Sequence, residues 1–270
     1  MGDGVLDGLA HPDPVARGIR HRLPQDARLH VAVEDTHARR RNRVQRRRVE
    51  VRDVAEPSIQ APGDVILDVV ATGVCGTDTH AVAHPGEALP EGTILGHEFV
   101  GRVREVGAAV TRLAHGDLVV GSDFTACGAC AACRRRNYWH CPERQFFGTG
   151  TAYGPALPGG LAELVRVPHA ETTLGHLPSD ISPEEAVLAT DTLATALTAV
   201  DRGRIGPGAI VAVLGAGPVG QLAGMVARAA GASAVIVSDP SALRRAEAEA
   251  RGLVAVVPGS AFGSPGHLRL

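Results

Sequence analysis

Residues 211–239 read VAVLGAGPVGQLAGMVARAAGASAVIVSD, and this stretch decides the fold. An apolar strand over 209–214 runs into Gly215-Ala216-Gly217-Pro218-Val219-Gly220. A helix follows over 219–230, then a second strand over 234–238 that ends at Asp239. A bare G-x-G-x-x-G says little. Set between a strand and a helix within a βαβ unit, it specifies a dinucleotide site. Its glycines permit a tight turn, close approach of backbone to a pyrophosphate and close helix–strand packing. Gly215, Gly217, Pro218, Val219 and Gly220 thus form the loop and first helical turn whose free N–H groups receive the phosphates. Asp239 lies 24 residues past Gly215, the spacing expected of a carboxylate that binds ribose hydroxyls. A 2′-phosphate there would meet like charge, which favours NAD over NADP.

Outward from this unit the pattern continues as a helix over 242–251 and a strand over 253–257. Upstream, Ser182-Pro183-Glu184-Glu185 opens a helix that the Ala-rich sequence carries to about Arg202, with Ser as N-cap, Pro in the first turn and acids behind it. Between residues 49 and 180 lie short β-branched runs over 64–70, 98–106, 117–121 and 161–167, separated by Gly turns. Such close spacing predicts a small barrel-like β domain. The domain boundaries expected are a disordered Arg-rich extension over 1–48, a β domain over 49–180 and a partial doubly wound α/β domain over 181–270. The extension holds 11 Arg against six acids, seven of them within Arg39–Arg48. Such a run is self-repelling and lacks the apolar content to fold.

The chain has 270 residues, 44% apolar, and a formal charge of only −2, so no global field points to nucleic acid or membrane partners. All 27 basic residues are Arg. The start MGDGVLDGLAHPDP lacks the basic flank and apolar run of a signal peptide. Residues 209–226 carry no charge but are broken by four glycines and Pro218, so a membrane span is excluded in favour of strand–turn–helix. A cytoplasmic chain is expected.

Four of five cysteines fall within 15 residues. Cys127, Cys130, Cys133 and Cys141 have the spacing C-x2-C-x2-C-x7-C. Thiolates at turn-compatible intervals close a tetrahedral structural zinc site. An iron–sulfur cluster would need a last gap of three residues rather than seven, and four unligated thiols are the third reading. The fifth, Cys75, follows the strand over 65–70, and His97 leads into the strand over 98–106. A Cys and a His from two strand ends supply two ligands of an open zinc site, although each alone reads equally as core or loop.

CGTDTH (75–80), GHEFVGRVREVG (96–107), GDLVVGSDFTACGACAAC (116–133) and GAGPVG (215–220), in this order, resemble the zinc-dependent medium-chain alcohol dehydrogenases. The resemblance spans about residues 49–257, and Phe124–Cys141 with FGTG (147–150) is similar to the formaldehyde-dehydrogenase-like branch. It implies a GroES-like β-barrel catalytic domain followed by a partial Rossmann domain, an α/β plus β chain with two zinc ions and NAD. Cys75 and His97 are then catalytic zinc ligands, with Asp191, in TDTLATA (190–196), as the third; its alternative is an ordinary helix residue. The resemblance gives Glu98 as a transient ligand and Asp78 as the carboxylate fixing the His97 tautomer. It gives Thr77 and His80 as the proton route from substrate to solvent. Thr195 lines the nicotinamide, and Arg244 stands near the adenosine ribose or is simply a solvated helix Arg. Ala196 stands where the family usually has Gly, crowding the nicotinamide.

The implied reaction is hydride transfer from a small alcohol or aldehyde adduct to NAD, and full-length relatives are homo-oligomeric. Only about 55 residues follow Gly215, so the sequence implies a C-terminally truncated member with an incomplete nicotinamide pocket and exposed apolar surface. The alternative is a catalytically silent zinc-stabilised binding or partner module, in one version with the Arg run on nucleic acid.

Overall fold

The computed structural model describes residues 31–34, 48–83, 89–258 and 268–269. The strands are β1 (Val31–Glu34), β2 (Arg48–Val51), β3 (Val65–Gly73), β4 (Glu98–Val106), β5 (Leu118–Gly121), β6 (Leu164–Val167) and β7 (Leu174–His176), followed by β8 (Ile210–Leu214), β9 (Ala234–Ser238), β10 (Val254–Pro258) and β11 (Leu268–Arg269). The helices are α1 (Gly76–Ala83), α2 (Ala131–Arg134), α3 (Ala170–Thr173), α4 (Pro183–Thr190), α5 (Thr192–Arg202), α6 (Pro218–Ala229) and α7 (Ala242–Ala250).

An antiparallel sheet in the order β6-β3-β4-β5-β7 builds the first body. One face packs Val65, Leu67, Phe99, Val103, Val119, Val165 and Val167 into a core. The other face, at Val100, is covered by Ala186 and Val187 of α4. The first four residues of β4 are therefore buried on both sides and show no alternation. Between the sheet's two edge strands the chain makes the single turn α3. Ala170 N donates to Gly63 O ahead of β3, and Ser122 N donates to Thr173 O after β5. One helical turn thus curls the five strands around their core, giving the GroES-like form.

The second body is a sheet in the order β11-β10-β9-β8, with β8, β9 and β10 parallel and β11 antiparallel to β10. Helices α6 and α7 supply the crossovers, and Val235, Val237, Ala227, Ala248 and Leu253 form the core. This is a partial Rossmann-like sheet. Among the described residues, strand β8 pairs only with β9; Ile210 is 75% and Leu214 87% exposed on it.

Several expectations need adjusting. The helix from Ser182 does not run unbroken to Arg202. Its capping box forms, with Ser182 Oγ accepting from Glu185 N, but the helix stops at Asp191, whose φ −138°, ψ −62° is not helical. Residues 268–269 add a short fourth strand, antiparallel to β10. The disorder expected over 1–48 falls mostly outside the described residues; the described part pairs β1 antiparallel with β2. No helix among the described residues is long and apolar enough to cross a membrane.

Candidate active site and metal centres

Three elements converge on one point. Cys75 precedes α1, His97 precedes β4, and Asp191 occupies the break between α4 and α5. One ligand atom from each lies within 4.8 Å of the others. Cys75 Sγ is 3.8 Å from Asp191 Oδ2, and His97 Nε2 is 3.5 Å from the same oxygen. Ligands at about 2.0–2.3 Å on a tetrahedral zinc are separated by roughly 3.3–3.6 Å, so the set fits that ion.

His97 is wholly buried, and neither ring nitrogen makes a hydrogen bond. An orphaned buried imidazole is costly unless something occupies the space between it and its neighbours. Burial alone would push its pKa down, but Asp191, Asp78 and Cys75 hold it up at about 12. A proton there plays the part of a cation, and Asp191 is correspondingly held below the usual carboxylate range, chiefly by His97. The donor set therefore calls for positive charge.

Asp78 braces the site. Its Oδ2 accepts from Cys75 N at 2.9 Å and its Oδ1 from Gly96 N at 3.2 Å, while His97 Nδ1 lies 3.5 Å from Oδ1. One buried carboxylate ties both ligand segments together and leaves Nε2 turned to Asp191. Thr195 Oγ1 donates to Asp191 Oδ1 at 2.9 Å, and the Cys75 thiol lies 3.8 Å from Thr77 Oγ1. His80 is exposed on α1, one turn beyond Thr77. Glu98 is not drawn into the triad: its carboxylate accepts from Thr192 Oγ1 at 2.6 Å and is buried beside Gly73, where a Cβ would meet Glu98 Oε2 at 2.4 Å.

A cavity of about 720 Å³ opens beside the triad, lined among others by Thr77, Asp191, Thr195 and Asp123. Asp123 escaped the sequence reading. It closes β5 just before the cysteine run, where an acid looks like an ordinary strand-end surface residue. Burial and then the nearby Asp191 push its carboxyl up to about 6.

The second cluster holds Cys127, Cys130, Cys133 and Cys141 with their sulfurs within 4.8 Å of one another. Cys130 caps α2 by accepting from Cys133 N at 3.4 Å, and Cys127 N donates to Cys141 Sγ at 3.3 Å. The N–H of Cys133 lowers the Cys130 pKa to about 7, whereas burial and then Cys130 raise Cys133 to about 12. Four thiols in contact cannot all ionise without a cation, and a divalent one suits this tetrad.

In the parallel sheet, Gly215 has φ +102°, and a Cβ on Gly220 would stand 1.9 Å from Gly215 O. Gly217 is the N-cap of α6 and Pro218 its first residue, followed by Val219. A Cβ on Gly217 would meet nothing within 4 Å, so the helix start faces open space for a phosphate. Asp239 differs from the expectation of an open ribose ligand. It is 2% exposed, its Oδ2 accepting from Ala216 N and its Oδ1 from Ser241 N, both at 2.8 Å. Burial works against its charge, yet these two N–H groups and Arg244, 3.6 Å away, hold its pKa below the ordinary value. Asp239 shapes the glycine loop first; further lone pairs on its oxygens remain for a ribose hydroxyl.

Residues 61–179 match the alcohol dehydrogenase GroES-like domain. The chain is 37% identical over 219 residues to a glutathione-independent formaldehyde dehydrogenase of Pseudomonas aeruginosa, covering 76% of this chain and 55% of that protein. It is 40% identical over 200 residues to the L-threonine 3-dehydrogenase of Pyrococcus abyssi, covering 73% and 53%. Among solved structures, the alcohol dehydrogenase of Thermus sp. ATN1 superposes with a TM-score of 0.76 at 38% identity, covering 84% of this chain and 63% of that one. The chain thus spans about half the length of the curated relatives it matches.

Proposed function

We propose that this chain, similar to the zinc-dependent alcohol dehydrogenases, acts in NAD-dependent oxidation of an alcohol or aldehyde adduct, with Cys75, His97 and Asp191 as the reaction centre. The convergence of those three side chains around a buried imidazole without hydrogen bonds carries this reading. When bound, zinc supplies a Lewis acid that lowers the pKa of a substrate hydroxyl, and NAD supplies the hydride acceptor.

The chain's own residues do the rest. Cys75 and Asp191 bring two negative charges, which would match a divalent ion, and Asp191 also lines the cavity where substrate would approach. Asp78, with Oδ1 3.5 Å from His97 Nδ1, orients the ring and, with a metal bound, would favour the tautomer that leaves Nε2 free to ligate it. Thr195 fixes the rotamer of Asp191. Thr77, at the cavity wall, accepts the hydroxyl proton and passes it towards His80, which is exposed on α1. The start of α6 receives the diphosphate, and the negative Asp239 disfavours a 2′-phosphate. Cys127, Cys130, Cys133 and Cys141 hold a second, structural zinc. Five cysteines without a disulfide suit the cytoplasm.

The outer edge of β8, which meets no strand among the described residues, favours a second reading, a catalytically silent partner module. Metal counting by plasma mass spectrometry tests the centre. Two zinc per chain are expected, falling to one in His97→Ala with the four-cysteine site still loaded. A chain that never holds more than one zinc removes the reaction centre and leaves the silent module.

A further inference from the structure

The chain is poor in aromatic residues: five Phe, two Tyr and one Trp in 270. Five of these eight line the cavity beside the reaction centre: Phe124, Tyr138, Trp139, Phe146 and Tyr153. They pack as a wall, Phe146 lying 5.2 Å from Tyr153 and 6.2 Å from Trp139, and Phe124 5.3 Å from Trp139. Two further phenylalanines, Phe99 and Phe147, form an edge-on pair in the sheet core. Aromatic surface is thus concentrated where a ligand would sit, and Tyr138, Trp139 and Tyr153 remain about two-fifths exposed. Rings of this kind favour offset or edge-on contact with another ring over contact with a hydroxylated chain.

Asp123 stands at the end of this wall. Its Oδ1 accepts from Ser122 Oγ at 3.1 Å, and no arginine pairs with it among the described residues, although Arg136 and Arg202 line the same cavity. A half-buried carboxylate so placed needs a further donor. A ligand's own hydroxyl or amino group provides one.

We propose that this cavity selects aryl alcohols, seating the ring on the Trp139–Phe146–Tyr153 wall, with Asp123 accepting a hydrogen bond from a second donor on the ring. The substrate class rests on the reading of Cys75, His97 and Asp191 as the reaction centre, but ring binding is measurable without turnover. Asp123 is the specificity determinant: it distinguishes a hydroxylated ring from a bare one, whereas the aromatic wall distinguishes either from a small polyol.

Isothermal titration of the zinc-loaded 270-residue chain with 4-hydroxybenzyl alcohol, benzyl alcohol and glycerol tests this, with zinc counted in the same preparation. The expected order of affinity is 4-hydroxybenzyl above benzyl by roughly tenfold, the worth of one charge-assisted hydrogen bond, with glycerol weakest. Asp123→Leu and Asp123→Asn should close the gap between the two aryl alcohols while leaving benzyl alcohol bound. Phe146→Ala or Tyr153→Ala should weaken both. Glycerol binding as tightly as the aryl alcohols, or a gap that survives both Asp123 variants, overturns the proposal. Two zinc with no aryl preference defeats the substrate class alone. Aryl preference with a single zinc upholds the cavity and defeats the reaction centre.

Discussion

At the scale of single residues, Asp78 does more than a ligand list records. It touches no ion position itself, yet its two oxygens hold Cys75, Gly96 and His97 in register. Replacing such a supporting carboxylate commonly costs about 10–100-fold in metal affinity. Asp78→Asn should therefore weaken zinc at the Cys75–His97–Asp191 centre by that factor and leave the cysteine tetrad unaffected, as read by competition with a chromophoric chelator. Equal loss at both sites would make Asp78 a general fold residue. The metal candidates were legible because thiols and an imidazole at strand ends are chemically conspicuous. Asp123 was not, because nothing in SDF distinguishes an acid facing a cavity from one facing water.

Elements were legible in proportion to their regularity. Strands β4 and β9 stand where the apolar runs put them. The helix break was invisible because TDTLA has nothing that forbids a helix; tertiary demand for the Asp191 carboxylate at the triad decides it. Turns α1 and α3 are too short to show a period. Yet α3 has a strong electrostatic anchor: Glu171 accepts from Thr111 N and Arg112 N and pairs with Arg112 Nε at 2.5 Å. The N–H groups of Arg112 and Thr111 hold its carboxyl at about 2, against an ordinary 4.5. Since the folded state prefers the ionised form, the stabilisation is complete above about pH 4.5 and fades as pH falls towards 2. Glu171→Gln should lower the thermal midpoint by about 2–4 °C at pH 7, with the difference shrinking below pH 4.5. A difference that does not change with pH would point to packing instead.

At the scale of the whole molecule, large apolar side chains stand exposed along β8, at one end of the parallel sheet. Ile210 and Leu214 alternate outward on β8, whose outer edge meets no strand among the described residues. Such an edge templates association with other strands. Ile210→Thr together with Leu214→Lys should raise the monomer fraction in light scattering without altering zinc content; unchanged aggregation would shift the cause to another surface.

The only indole of the chain also sits in a telling place. Trp139 lies in the turn between Cys133 and Cys141, with the Arg144 guanidinium 4.0 Å from its ring centre and the cavity at its side. Emission excited at 295 nm therefore originates from one spot, so unlabelled protein carries a native optical gauge of cation release from the cysteine loop and of occupancy next to it.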